Sequence, residues 1–244
     1  MASAAIALYQ IPAPKIIFDL EKFYELRLKD DGKLLSKETR IITNPKYDGK
    51  EFIVMKTERK GGIRPDQNML TYFILKDGKM TAYTHKVEIV KDGEPIETTL
   101  LEFDWGKNEA TFTKEEHKES KTSSKTIELN PKTIHAQFSS FYLQKLIKDG
   151  VKEDTFWMIT PTGDKYKIDA KIDYTPENLK IGDRIIPAYK LTLKADVGLL
   201  SVFSPILTFW YETAPPHDFV RYMGPEKGPM SPTIIQEIVE LTEN

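Results

Sequence analysis

The sequence predicts a mainly all-β protein in which an antiparallel meander forms a strongly curved sheet, an open barrel or a clam. Segments rich in Val, Ile, Thr, Tyr and Phe are separated by short turn signals. Each of these signals pairs Asp with Gly, two residues that tolerate the positive φ angles of two-residue hairpin turns. The signals are Asp31-Gly32, Asp48-Gly49, Asp77-Gly78, Asp92-Gly93, Gly163-Asp164 and Gly182-Asp183.

The first half of the chain predicts seven strands. Apolar and charged residues alternate most clearly in Phe23–Leu28 and Thr84–Ile89, as in antiparallel strands with one buried face. Lys114–Lys125 contains no apolar residue, which predicts a long exposed hairpin tip or a mobile loop. The predicted strands are Phe23–Leu28, Leu35–Thr43, Phe52–Glu58, Leu70–Leu75, Met80–Val90, Thr98–Phe103 and Ala110–Thr113.

One long α-helix is predicted over about residues 133–148, packed on the sheet. Asn130-Pro131 supplies a cap and a first turn, and Asp149-Gly150 supplies a C-terminal stop. Large side chains recur at helical spacing and place an aromatic stripe on one face. The stripe consists of Ile134, Phe138, Phe141, Tyr142 and Leu146.

The meander resumes after the helix, so residues 15–244 are expected to form a single domain. Residues 1–14 are interpreted as an irregular lead, either native or an added or processed end. Thr233–Leu241 is interpreted as a closing strand in preference to a short helix. The other predicted strands are Thr155–Thr160, Tyr166–Tyr174, Arg184–Ala195, Leu199–Tyr211 and Phe219–Met223.

Composition excludes several classes of protein. The formal net charge is −2 and the charges of both signs are interleaved, which argues against nucleic-acid binding, because that needs clustered Lys and Arg. Cysteine is absent, which excludes disulfides, thiolate metal sites and cysteine nucleophiles. The most apolar run, Val197–Tyr211, has about 15 residues, fewer than the roughly 20 of a membrane-spanning helix. We expect no transmembrane segment and no cofactor.

No catalytic residue and no metal site is predicted. The chain lacks a Gly-x-Ser-x-Gly elbow and a glycine-rich phosphate loop. His85, His117 and His135 are interpreted as surface or edge histidines, and none has another histidine at a metal-binding spacing. His217 lies in a rigid Pro-Pro-His-Asp turn. A hydrolase that uses scattered carboxylates and His217 is kept as an alternative.

Aromatic residues of the helix and of the strand before residue 212 are the candidate ligand contacts. They are compatible with ordinary core packing. They are also compatible with a hydrophobic cavity, since a curved sheet of about a dozen strands encloses more interior than side chains usually fill. The predicted ligand-binding residues are Phe138, Phe141, Tyr142, Phe209, Trp210 and Tyr211, with Arg221 and Tyr222 as anchors.

The second half of the chain resembles the DUF3108 family of uncharacterised bacterial envelope proteins. The likeness covers about Thr133–Gly224, whereas the first 130 residues match only as a strand meander. In that family a Ser-x-x-Tyr helix precedes a strand that ends in Trp-Tyr before a proline-containing turn. The matching segments here are Ser139-Ser140-Phe141-Tyr142-Leu143, Gly163-Asp164, Ile181–Leu191, Leu207–Tyr211, Pro215-Pro216 and Phe219–Tyr222.

The resemblance implies a secreted or periplasmic β-rich protein of the cell envelope with no established activity, and it transfers no functional residue. Family members often carry a lipoprotein or secretion signal, but this chain has no cysteine and therefore no lipobox. The resemblance and the aromatic stripe together lead us to expect a non-enzymatic envelope protein that binds or carries an apolar ligand, such as a lipid or acyl chain. The alternative to the ligand carrier and the hydrolase is a module that contacts an envelope protein or a glycan.

Overall fold

A computed structural model describes residues 11–12, 18–196, 204–226 and 231–242 of the protein, and it confirms the predicted mainly β fold. The strands are β1 (Ile11–Pro12), β2 (Glu21–Leu28), β3 (Leu34–Thr43), β4 (Lys46–Tyr47), β5 (Lys50–Lys60), β6 (Asp66–Lys76), β7 (Lys79–Lys91), β8 (Glu94–Asp104), β9 (Glu109–Glu116), β10 (Lys121–Glu128), β11 (Thr133–His135), β12 (Glu153–Ile159), β13 (Lys165–Ile181), β14 (Arg184–Asp196), β15 (Ile206–Glu212), β16 (Phe219–Pro225) and β17 (Thr233–Thr242).

Hairpin pairing builds these strands into one sheet. From one edge to the other the order is β10-β9-β8-β7-β6-β5-β3-β2-β17-β16-β15-β14-β13-β12-β11, with β4 on β5 and β1 on β7. The central pair, β2 with β17, joins the N-terminal meander to the C-terminal one. Within the described residues no strand pairing closes this sheet into a barrel, so the open, curved alternative is the one adopted.

Four of the six turn signals form two-residue turns between paired strands, whereas Asp31-Gly32 and Gly163-Asp164 lie in five-residue loops. Both residues of Asp48-Gly49, Asp77-Gly78 and Asp92-Gly93 have positive φ angles, as a type I′ turn requires. The polar segment Lys114–Lys125 is also a hairpin, because β9 and β10 pair across it from Lys121↔Glu116 onward. Thr233–Leu241 lies within β17, which confirms the predicted closing strand.

The predicted helix is too long. Its first residues, Thr133–His135, form strand β11, which pairs with β12 in parallel, and Ala136–Phe138 form a 3-10 turn. The α-helix α1 spans Ser139–Lys148. Two of the three β11 residues are β-branched and all three are buried, so tertiary pairing with β12 outweighs the helical periodicity of this segment.

The sheet curls around α1. One cluster of buried hydrophobic residues combines side chains of β5–β10, of α1 and of β12–β15, so both halves of the sheet contribute to the same interior. At the end of α1, the Tyr174 hydroxyl of β13 donates to the Val151 carbonyl at 2.9 Å. This bond ties the C-terminal end of the helix to the sheet.

Two predictions fall partly outside the described residues. Of the lead at 1–14, only Ile11–Pro12 is described, and it pairs with β7. Of the predicted strand Leu199–Tyr211, residues 204 onward are described, and β15 begins at Ile206 after Pro205. None of the described helices is long and apolar enough to cross a membrane.

Candidate functional site

The aromatic residues predicted on the helix lie in the interior. Phe138, Phe141 and Tyr142 are 1%, 5% and 1% exposed. Phe73 of β6 contacts the rings of Phe138 and Phe141 at centroid distances of 5.3 and 5.6 Å, and Phe156 of β12 contacts Tyr142 at 5.0 Å. These five residues, here called the helix cluster, bridge the two halves of the sheet through α1.

The residues predicted on β15 and β16 divide between the two faces of their strands, because successive strand residues point to opposite faces. Phe209 is opposite Tyr222 in the register and contacts its ring at 4.9 Å. Tyr211 is fully buried in the same cluster of buried residues as α1, and Phe209 packs against it. The structure thus brings Phe209 and Tyr211, but not all eight predicted residues, towards the helix.

Trp210 and Arg221 lie together on the other face of these strands. They are opposite each other in the register, and the guanidinium lies 5.8 Å from the indole ring. Trp210 donates to Glu177 at 2.9 Å and belongs to a second, smaller cluster of buried residues. Arg221 forms an ion pair with Glu237 and donates to the Lys180 carbonyl. Neither residue belongs to the helix cluster.

The most unusual feature of the interior is a buried carboxylate between two guanidinium groups. Glu38 of β3 is 1% exposed. Its Oε1 accepts from Arg40 Nη2 at 2.6 Å and its Oε2 from Arg59 Nε at 2.7 Å. Burial alone would raise the pKa of Glu38, but the charges and hydrogen bonds of Arg59 and Arg40 outweigh burial and hold that pKa below its ordinary value. Glu38 is therefore ionised.

Two buried tyrosines adjoin this carboxylate. The Arg40 guanidinium lies 4.9 Å from the centre of the Tyr24 ring, and the rings of Tyr24 and Tyr211 both contact Phe219, at 5.7 and 5.8 Å. Burial raises the pKa of Tyr24 to about 12 and raises the pKa of Tyr211 further, so both hydroxyls are protonated. We call Glu38, Arg40, Arg59, Tyr24 and Tyr211 the guanidinium cluster.

Some polar atoms of this interior have no partner. Among the described residues, nothing hydrogen-bonds Arg40 Nε, the Tyr211 hydroxyl or Gln236 Nε2. Arg40 Nε and Gln236 Nε2 can only donate, and a protonated Tyr211 can donate as well. An unpaired buried donor costs about 1–3 kcal/mol, so this arrangement favours a ligand or solvent molecule that supplies hydrogen-bond acceptors.

Two histidines, interpreted from the sequence as surface or edge residues, are buried beside these groups. His85 is 1% and His135 0% exposed, and their ring centres lie 4.3 Å apart. Burial and then the charge of Arg59 lower the pKa of His85 to about 4, and burial and then His85 lower the pKa of His135 well below its usual value. Both rings are neutral at pH 7. The surface interpretation of these two histidines is wrong.

The histidine pair offers few metal ligands. His135 Nδ1 accepts from the Gln137 backbone N–H at 3.3 Å, which places the ring proton on Nε2. His85 Nδ1 bonds the Thr71 hydroxyl at 2.9 Å. Within the described part of the chain, no group of three or more His, Cys, Asp or Glu side chains could hold a metal ion.

His117 and His217 lie away from this pair. His117 keeps a partly exposed side chain and bonds the Thr98 hydroxyl at 2.8 Å, as expected of an edge histidine. His217 has a φ angle of 63° after a cis Pro215-Pro216 bond, and its Nδ1 bonds the Glu212 carbonyl at 3.0 Å. Its own carbonyl accepts from Gln144 of α1 at 3.1 Å, which docks the proline turn on the helix.

The sequence reasoning missed the guanidinium cluster because polar residues occupy both faces of β3. A signal was nevertheless present in the hairpin Asp31-Gly32, which sets β2 against β3 and places Tyr24 opposite Glu38. The same register principle places Glu38 opposite Arg59. The alternation of β2 predicts that Tyr24 points to the core, and residues paired directly across two strands share a face, so the register predicts that Glu38 points to the core as well.

Comparisons with known proteins leave the family undetermined: no family model matches the chain, and neither the curated proteins nor the solved structures searched contain a significant match. The resemblance to the DUF3108 family therefore stays a prediction.

Proposed function

We propose that this is a non-enzymatic protein of the cell envelope, periplasmic or secreted, that binds an apolar ligand such as a lipid or acyl chain between α1 and the curved sheet. The observation that carries the proposal is the interior itself. A short aromatic helix lies between the two halves of one sheet, and buried donors without partners lie in the same interior.

The apolar part of such a ligand would lie against the helix cluster. Phe138 and Phe141 present ring faces and edges to Phe73, and burial of apolar area against such rings contributes about 25 cal/mol per Å². The expected envelope location rests on the resemblance to the DUF3108 family alone. It is tested separately, by fractionating cells that express the full-length gene.

The test of ligand binding is mass spectrometry of an organic extract of the purified protein. We expect a co-purified lipid or acyl compound in the wild-type extract, and a smaller amount in Phe141→Asp. Tyr83→Asp is the matched control, because Tyr83 is an aromatic residue that is 41% exposed, and its extract should equal that of the wild type. An empty wild-type extract, with no binding of added acyl ligands, would contradict the proposal whether or not Phe141→Asp folds.

The competing proposal is a module that contacts an envelope protein or a glycan. The outermost strand β10 favours it, because seven of its eight residues, all except Ile127, are exposed. Such a strand end can accept an added strand from a partner. This proposal predicts that the organic extract is empty. It also predicts that the wild-type protein captures a partner through the hairpin β9–β10, and that the Ser124→Pro variant does not.

A further inference from the structure

The guanidinium cluster carries more positive than negative charge. Arg40 and Arg59 both bond the single carboxylate of Glu38. The neighbouring Lys22 and Asp218 neutralise each other at 2.9 Å. Glu212 lies beside Asp218, and burial first and the charge of Asp218 second raise its pKa above the ordinary value. One positive charge of the two guanidinium groups is thus left without a bonded carboxylate.

The unpaired donors lie at this same place. Arg40 Nε and the Tyr211 hydroxyl have no hydrogen-bond partner within the described ranges. Their side chains belong to one contiguous group, since Arg40 packs on Tyr24, and Tyr24 and Tyr211 both contact Phe219. Excess positive charge combined with unpaired donors is the chemistry that recognises an anionic oxygen.

Tyr211 also connects the guanidinium cluster to the helix. It belongs to the same cluster of buried residues as Phe138, Phe141 and Tyr142. A ligand whose head reached the Tyr211 hydroxyl would therefore extend its chain along an apolar surface that continues to α1. The polar and apolar parts of the interior are adjacent, as an amphipathic ligand requires.

We infer that the guanidinium cluster is the head-group site for an acyl ligand with an anionic oxygen head, a carboxylate or a phosphate, held by Arg40 Nε and the Tyr211 hydroxyl. This inference rests on the proposed function and names the ligand class for the same interior. A singly charged head balances the excess charge of the cluster.

The test compares three ligands with equal chains on delipidated protein at pH 7.5: dodecanoate, dodecyl phosphate and 1-dodecanol. Isothermal titration calorimetry should show that at least one anion binds about tenfold or more tightly than the alcohol, since each charge-assisted hydrogen bond contributes about that factor. The anion that binds more tightly shows whether the head group of the natural ligand is a carboxylate or a phosphate. Equal affinity for all three overturns the inference but leaves ligand binding intact, whereas no binding of any of them contradicts the proposed function as well.

Two tyrosine variants make the test residue-specific. Tyr211→Phe should weaken binding of the preferred anion about tenfold and leave dodecanol unchanged, because only the hydroxyl is removed. Tyr174→Phe is the control, because the Tyr174 hydroxyl already donates to the Val151 carbonyl and Tyr174 belongs to neither cluster, and it should change the affinity for the anion less than twofold. Equal losses in both variants, or no loss in Tyr211→Phe, would overturn the assignment.

A charge variant supplies the second readout. Arg40→Gln should bind the preferred anion no more tightly than dodecanol, with its fold checked by circular dichroism. Should Arg40→Gln not fold, the result of Tyr211→Phe decides alone. Retention of the full preference for the anion in a folded Arg40→Gln protein would contradict the role of Arg40.

Discussion

The helix cluster and the guanidinium cluster adjoin at Tyr211, whereas Tyr24 packs in the second cluster of buried residues, and the two are built from opposite chemistry. In the helix cluster, five aromatic rings contact one another at 5.0–6.4 Å. In the guanidinium cluster, a carboxylate that is 1% exposed lies between two guanidinium groups. Burial of apolar area stabilises the first region. The second costs desolvation that hydrophobic residues of similar size would avoid, so its composition favours a role in binding.

In the guanidinium cluster, the largest loss of stability is expected on removing the buried charge of Glu38. Glu38→Gln leaves two guanidinium groups without their carboxylate, and we expect urea unfolding to show a loss of about 3–5 kcal/mol. The control is Glu58→Gln, because Glu58 also bonds two cations, Lys56 and Lys60, but is 31% exposed. Solvent screening limits its cost to about 1 kcal/mol or less. Similar losses in the two variants would contradict this comparison.

Truncation of the helix cluster tests the apolar region in the same assay. Phe141→Ala removes the whole ring that contacts Phe73 and Phe138, and we expect a loss of about 3–5 kcal/mol from lost burial and the remaining cavity. Addition of dodecanoate should restore part of that stability if the ligand chain reaches the vacated volume. A loss below about 1 kcal/mol would show that α1 is not packed as described.

The buried histidines predict an acid-sensitive fold. The pKa of His85 is lowered to about 4 in the folded protein, whereas in the unfolded chain it lies near 6.5. The unfolded state therefore binds the proton first, and stability falls as the pH drops from about 6.5 towards 4. The expected loss is on the order of 3 kcal/mol, and His135 adds to it in the same direction.

Thermal unfolding at several pH values measures this loss. The double variant His85→Gln, His135→Gln should have a flatter stability profile between pH 6.5 and 4.5, whatever its absolute stability. The matched control is His117→Gln, because His117 is partly exposed, and it should keep the slope of the wild type. A double variant with an unchanged slope would show that other groups cause the acid sensitivity.

The smallest change in stability is expected for removal of the hydroxyl group from either of two buried tyrosines. Tyr142→Phe removes the hydrogen bond to Asp154 and should cost about 1–2 kcal/mol. Tyr211→Phe removes a hydroxyl without a partner among the described residues, so in the delipidated protein it should be neutral or slightly stabilising. Chemical denaturation of both variants checks the order. A larger loss in Tyr211→Phe would mean that its hydroxyl has a structural partner.

The meander was predictable because its signals are local. The Asp-Gly turns define hairpins, and strand alternation defines their faces, so most predicted strands from Phe23 to Leu241 lie within observed ones. The start of the helix was not predictable, because Ile134 fits both a helical stripe and strand β11, and only the partner β12 decides between them. A local sequence pattern does not show which distant strand a segment pairs with.

The candidate site was predicted only in part for a similar reason. Phe138, Phe141, Tyr142 and Tyr211 are large and apolar, and burial of such side chains is expected from their type alone. Glu38 and His85 have residue types that are usually exposed or intermediate, and their burial depends on strands distant in sequence. Polar residues in the interior become visible only when the register of the whole sheet is known.

The most direct measurement is a crystal structure of the protein saturated with the tighter-binding of dodecanoate and dodecyl phosphate. We predict head-group oxygens within about 3 Å of Arg40 Nε and the Tyr211 hydroxyl, with the alkyl chain running towards Phe141. A ligand seated elsewhere, or a guanidinium cluster whose donors bond only water in the saturated crystal, would contradict this prediction.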